Sequence, residues 1–130
     1  YKFKLQGHSD ADVCLHALTD AILGSISERD IGYHFPPSNI KWKNANSNIF
    51  IQHANKLLEK KNGEIINIDM TIICEQPKLS IYIPKMIKSI AKICNIERND
   101  ISIKATTSEG LGFIGRKEGI ACMVNLLVNI

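Results

Sequence analysis

Arginine is scarce in this chain: there are 3 against 13 lysines, and the lysines are dispersed rather than gathered into one block. A net charge of +3 spread this thinly lacks the footprint of a general nucleic-acid binder. Aromatic residues make up only 6% and do not alternate with basic ones, so no platform for stacking single-stranded bases is expected. The longest apolar runs fall well short of the ~20 residues that a membrane helix needs, so no membrane partner is expected. Cysteine is limited to Cys14, Cys74, Cys94 and Cys122, without a C-x-x-C pair and each among apolar neighbours. They read as small core residues of a reducing compartment, not as a disulfide or zinc-ribbon framework. Repeats, low-complexity tracts and linkers are also lacking. A small anionic ligand suits this balance better than a polymer.

What is present suits a single domain. The 130 residues are 45% hydrophobic and 22% charged, and a chain of this size buries roughly two thirds of its unfolded surface. The 22 isoleucines and 11 asparagines, beside so few arginines, are the bias of an AT-rich coding sequence. Tyr1, Phe3 and Leu5 alternate with Lys2, Lys4 and Gln6 as in a strand, and the first residue is not methionine, so the natural N-terminus is expected to lie upstream.

A helix over 9–27 follows, with Ser9 as its N-cap and Val13, Leu15, Leu18, Ile22 and Leu23 as its apolar face. Residues 28–46 show little periodicity, and a loop of that length is uncommon unless functional. Ser47 caps a helix over 48–61 with Phe50, Ala54, Leu57 and Leu58 inward and Asn62-Gly63 as its stop. A strand over 65–74 ends before Pro77. A helix over 82–95 has Pro84 in its first turn and Ile83, Ile87, Ile90, Ala91 and Cys94 as its stripe. Strands over 99–107 and 119–130 complete the chain. This order predicts an α+β two-layer sandwich, a mainly four-stranded mixed sheet with helices on one face. The last strand is apolar on both sides, and three helices cannot cover both sheet faces, so oligomerisation through the sheet is expected.

The run from His8 to Asp20 packs two histidines and three aspartates around a helix start. Asp12, His16 and Asp20 are spaced i, i+4, i+8 and share one stripe. First-turn acids favoured by the helix dipole explain Asp10 and Asp12 equally well, and a lone histidine such as His16 is often structural. Gly110-Leu111-Gly112-Phe113-Ile114-Gly115 matches the dinucleotide pattern G-x-G-x-x-G in the wrong context, since a strand follows and too little chain remains for the acidic partner. In Lys104-Ala105-Thr106-Thr107-Ser108-Glu109-Gly110-Leu111-Gly112, hydroxyls and free N–H groups can hold phosphate oxygens. Glu109 can supply a hard ligand to a divalent metal there, and Arg116 adds a forked cation. A β-turn rich in turn formers accounts for the same residues.

Taken together, His8 to Val13, Leu15 to Gly24, Asp30-Ile31-Gly32, Phe35-Pro36, Gln76-Pro77-Lys78 and Lys104 to Phe113 closely resemble the 2-C-methyl-D-erythritol 2,4-cyclodiphosphate synthase family, in order from about Leu5 to the C-terminus. The resemblance implies an enzyme of non-mevalonate isoprenoid synthesis. It would turn 4-diphosphocytidyl-2-C-methyl-D-erythritol 2-phosphate into a cyclic diphosphate and release CMP. It also implies zinc on His16 with an upstream Asp-x-His pair, and Mg²⁺ or Mn²⁺ on Glu109. His8 and Thr107 match the positions that stabilise the transition state. Ser9, Asp30, Ile31 and Gly32 match contacts to the methylerythritol phosphate, with Phe35 beside them.

Cys74, Glu75, Gln76, Pro77, Lys78, Leu79 and Ser80 match the cytidine pocket, and Thr106, Phe113 and Arg116 match further substrate contacts. A homotrimer with sites between subunits is implied, in a plastid (the apicoplast) if the source is apicomplexan and otherwise in a bacterial cytoplasm. Two departures stand out. No Asp-x-His pair precedes His8, and Pro37-Ser38-Asn39 replaces the acidic residues that the family commonly carries after Phe-Pro. The alternative to an enzyme is a catalytically silent trimeric module that binds a cytidine nucleotide or phosphosugar.

Overall fold

The computed structural model describes the backbone of residues 2–39, 41, 46–75 and 79–130, with side chains from Asp12 onward. The elements are α1 (Lys2–Ser25), α2 (Ile31–His34), α3 (Ser47–Lys60), β1 (Glu64–Ile73), α4 (Ile83–Cys94), β2 (Ile101–Thr106), α5 (Gly112–Gly115) and β3 (Ala121–Asn129). The strands form one sheet in the order β2-β1-β3, with β2 parallel and β3 antiparallel to β1. The α+β class and mixed sheet match expectation, but the described residues give three strands rather than four. Of the residues expected as the first strand, Lys2 to Gln6 instead fall within α1 and Tyr1 lies outside the described residues; Ser9 lies inside that helix rather than at its cap. Lys2, Lys4, Leu5 and Gln6 are straight-chain residues that lose little rotamer freedom in a helix, which outweighs their alternation.

In α1 the core face is Cys14, Leu18 and Ile22 at four-residue steps, with Leu23 beside them and Ile26 just past the helix end, all buried. Val13, expected on that face, is 38% exposed. These residues meet Ile51, Ala54 and Leu58 of α3, Ile90 of α4, and Ile68, Met70 and Ile72 of β1 in one core. Asn46, not Ser47, caps α3, its side chain accepting from the N–H of Asn48 at 2.9 Å. Ser47, one position on, donates its Oγ to Asp12 Oδ1 at 3.0 Å and so ties α3 to α1. The stop at Asn62-Gly63 is as expected: Asn62 has φ +59°, and a Cβ on Gly63 would run into the Leu58 side chain. Pro84 sits in the first turn of α4, and left-handed Asn95 closes it.

The central strand carries a β-bulge. Ile65 pairs with Val128 and Asn67 with Leu127, so Ile66 is an extra residue. Strict alternation from Ile65 would turn Ile68, Met70 and Ile72 away from the helices; the bulge resets the phase so that all four face the core. In β3, Cys122, Val124, Leu126 and Val128 pack inward. On its other face Met123 and Leu127 are 59% and 60% exposed and alternate with Asn125 and Asn129. That outer face is therefore half apolar.

Ile68 is fully buried at the centre of the sheet. Ile68→Ala should cost about 3 kcal/mol and Ile68→Val about 1 kcal/mol in urea unfolding; an alanine variant within 1 kcal/mol of wild type would contradict the central position of β1.

Candidate functional site

The parallel pairing of β1 and β2 brings the two strand ends to one place. Ile73 is opposite Thr106, and the Cys74 N–H donates to the Thr106 carbonyl at 2.9 Å, one residue beyond the ladder. Glu75 then leaves the sheet. Its Oε1 accepts from the Ser108 N–H at 3.1 Å, the Ser108 hydroxyl at 3.0 Å and the Gly110 N–H at 3.0 Å. The Gly110 N–H above all, with both Ser108 donors and nearby Lys117, holds this carboxyl below the usual carboxylate range, against the opposing effect of desolvation. The Ser108 Oγ also lies 2.8 Å from the Leu111 carbonyl, and its one proton is shared between two acceptors.

The turn held this way contains the segment singled out from the sequence. The Glu109 N–H donates to Thr107 Oγ1 at 3.1 Å, and Glu109 and Gly110 adopt φ +54° and +77°. Successive left-handed residues turn backbone N–H groups toward one point, the form of an anion nest. Here an internal carboxylate fills it. Gly115 explains the glycine pattern without a dinucleotide, because a Cβ there would collide with the backbone of Gly110. The pattern makes one helical turn fold back on its own loop before β3. Thr106, Thr107 and Glu109 remain exposed, as does Phe113. Arg116 is engaged by Glu118, Nε to Oε2 at 2.8 Å. Leu79 is buried in the core, and Ser80 is exposed beside it in a 3-10 turn, Leu79–Ile81.

A second group lies on the helical layer. The Asp12, His16 and Asp20 stripe is present on α1, and both carboxylates are engaged. Asp12 receives the Ser47 hydroxyl, and Asp20 Oδ1 receives the Ile31 N–H at 2.9 Å. Asp30 caps α2 by accepting the Tyr33 N–H at 2.9 Å, so Asp30, Ile31 and Gly32 are fixed to α1 through Asp20. Phe35 is buried against the ring of Phe50, with centroids 4.6 Å apart. Exposed His16 sets its ring edgewise on Phe50 at 5.7 Å. Burial pushes the Cys94 thiol up to about 11, so it stays protonated.

The side chains of His8 and Ser9, and residues Gln76, Pro77 and Lys78, lie outside the described residues. Among the described residues no three of histidine, cysteine, aspartate and glutamate gather where they would hold a metal. A zinc site needs three protein ligands, and His16 alone does not supply them, so the described residues do not fit that ion. Sequence reasoning passed over His34 and His53, which lie 3.3 Å apart, and missed what Glu75 holds. The strand register brings Glu75 to Ser108 across 33 residues, a contact that no local pattern announces.

Glu75→Ala should speed amide exchange at Ser108 and Gly110, whereas Glu75→Gln, which keeps an acceptor oxygen, should protect them nearly as wild type does. Because the folded carboxyl titrates low, its hold on the turn is whole above about pH 4.3 and fades as pH falls through the lowered value. Equal exchange in all three proteins would show that the carboxylate holds nothing.

The YgbB family model matches residues 1–129. A bifunctional enzyme IspD/IspF of Paramagnetospirillum magneticum is 57% identical over 117 residues, which are 90% of this chain and 30% of that protein. A 2-C-methyl-D-erythritol 2,4-cyclodiphosphate synthase of Cereibacter sphaeroides is 54% identical over 119 residues, 92% of this chain and 75% of that protein. Among solved structures, IspF of Plasmodium falciparum in complex with CDP superposes with a TM-score of 0.80 at 39% identity, covering 89% of this chain and 69% of that one. The chain thus spans about a third of the bifunctional relatives and most of the single-function one. With the family model spanning nearly every residue and relatives above half identity, the chain belongs to the YgbB family.

Proposed function

We propose that this chain forms the cyclodiphosphate synthase unit of its protein, converting 4-diphosphocytidyl-2-C-methyl-D-erythritol 2-phosphate into 2-C-methyl-D-erythritol 2,4-cyclodiphosphate and CMP. The observation that carries this reading is the 54% identity over 92% of the chain with a protein of that name. An oxygen of the 2-phosphate attacks the β-phosphorus of the same molecule, and the bond from that phosphorus to the bridging oxygen breaks, leaving CMP. The chemistry asks for positioning and for donors aimed at the phosphoryl oxygens more than for covalent help. Exposed Thr106 at the end of β2 and Thr107 beside the turn held by Glu75 supply hydroxyl donors of that kind.

In this reading His8 and Thr107 stabilise the transition state. Ser9 and the Asp30–Gly32 segment, with Phe35 behind it, receive the methylerythritol phosphate. Residues 74–80 receive the cytidine, and CDP in the Plasmodium structure supports a nucleotide of that kind. Phe113 and Arg116 border the substrate. Glu109, exposed on the turn, is suited to Mg²⁺ or Mn²⁺ at the diphosphate. His16 would donate to zinc only with ligands from beyond the described residues. The half-apolar outer face of β3 suits a homotrimer with sites between subunits. Higher identity to bacterial relatives than to the Plasmodium structure, 57% against 39%, favours a bacterial cytoplasm over a plastid. No helix among the described residues is long and apolar enough to cross a membrane.

Phosphorus NMR of that substrate with the full-length protein, Zn²⁺ and Mg²⁺ should show cyclodiphosphate resonances and an equal amount of CMP; an unchanged spectrum with zinc-loaded protein would overturn the reading. Thr107→Val should lower kcat about a hundredfold, as loss of one transition-state donor does, with a far smaller change in KM.

A further inference from the structure

We propose that His34 and His53 form a hydrogen-bonded pair that positions the Asp30–Gly32 segment for substrate, a pair that survives one added proton and breaks with two. The role in substrate positioning rests on the reaction proposed above; the pair itself does not.

The tautomers follow from the partners. His34 Nε2 lies 2.6 Å from the Glu28 carbonyl oxygen, which can only accept, so this nitrogen carries a hydrogen. In the neutral ring Nδ1 is then an acceptor, and it faces His53 Nε2 at 3.3 Å, which must donate. The first bond closes the chain from Glu28 to His34 into a loop with Asp30–Gly32 at its tip. The second fastens that loop to α3, while Asp20 fastens it to α1. Phe35 packs edgewise on His53 with centroids 5.0 Å apart, and Tyr33 packs on His34 at 5.2 Å, so both rings are held in place.

A proton taken up at His53 Nδ1 leaves the bond intact. A second, on His34 Nδ1, sets N–H against N–H. The charged surroundings are mixed. Glu28 Oε2 lies 3.9 Å from His34 Nε2 and its Oε1 lies 3.7 Å from Lys61 Nζ. Lys56 and Lys60 of α3 oppose charge on His53, and Arg29 lies over the Tyr33 ring at 4.3 Å. The carboxylates of Asp20 and Asp30 are taken by backbone N–H groups of the same loop. Burial first, then His34, keeps His53 below the usual imidazole range. The folded state thus prefers the neutral ring. Its contribution is whole above about pH 6.5 and is lost as pH falls from there.

The test uses the full-length protein loaded with Zn²⁺ and Mg²⁺. At pH 8, His53→Ala should raise KM about fivefold, the equivalent of one neutral hydrogen bond, with kcat little changed. His53→Gln, whose amide N–H can donate to His34 Nδ1, should restore KM and flatten its rise toward acid pH. Independently of turnover, ring ¹⁵N shifts at pH 8 should place the His34 hydrogen on Nε2, and amide exchange at Ile31 and Tyr33 should quicken about tenfold in His53→Ala. Unchanged exchange, or a His34 hydrogen on Nδ1, overturns the pair. Faster exchange with unchanged KM in an active enzyme overturns its role in positioning substrate. Faster exchange in His53→Ala, when the wild-type protein itself shows no turnover, upholds the pair and overturns the proposed reaction instead.

Discussion

The structure depends on β1 having strands on both edges. A parallel partner on one side and an antiparallel partner on the other leave this strand no backbone freedom. Its inward residues are also the floor on which α1, α3 and α4 rest. The parallel partner has a specific effect. Parallel strands end side by side, so residues just past β1 emerge next to residues just past β2. Glu75 and the turn at 108–110 meet for that reason, and the exposed threonines are presented at the sheet edge as a consequence. With an antiparallel pairing, the end of β1 would lie beside the start of β2, and the two loops would be a strand length apart.

Acidic side chains do an unexpected share of the positioning. Asp20, Asp30 and Glu75 each accept backbone N–H groups, and Asp12 accepts a hydroxyl. A carboxylate in this use fixes a loop because its oxygens reach donors that no regular element satisfies. Such acids look in sequence like ligands or proton carriers. What they leave for chemistry are groups they do not occupy: the hydroxyls of Thr106 and Thr107, the Glu109 carboxylate and the His16 ring. In the proposed site, exposed groups on α1, the end of β2 and the turn after it stand beside loops pinned by acids of other elements, Glu75 at Gly110 and Asp20 at Ile31.

Where local rules settle the outcome, the sequence was readable. Pro84 and the isoleucine stripe define α4, Asn62-Gly63 stops α3, and the strands expected over 99–107 and 119–130 match β2 and β3 within one or two residues at their ends. The segments quoted for the family resemblance were readable too, because several motifs had to agree in order. Features set by distant partners were not. Nothing in Ile65 to Ile68 announces a bulge, since four positions of which three are isoleucine carry no phase. Asn46 and Ser47 are both good caps, and only the pull of Asp12 on Ser47 separates them. The alternation at 1–6 points to a strand, but straight-chain residues read equally well as helix. His34 and His53 lie 19 residues apart with no shared period, so only the fold pairs them.

The extra residue at Ile66 sets a rule for how this chain can change. A bulge is a matter of count, not of side-chain identity, so no exchange of one amino acid for another removes it. Only a change in length does, and a deletion in β1 alone would turn half the strand inside out. Side chains along the strand are free to drift among apolar types, while the number of residues between Ile65 and Ile68 is held fixed. Among relatives that share this packing, variation in β1 should therefore be a matter of spelling and never of length.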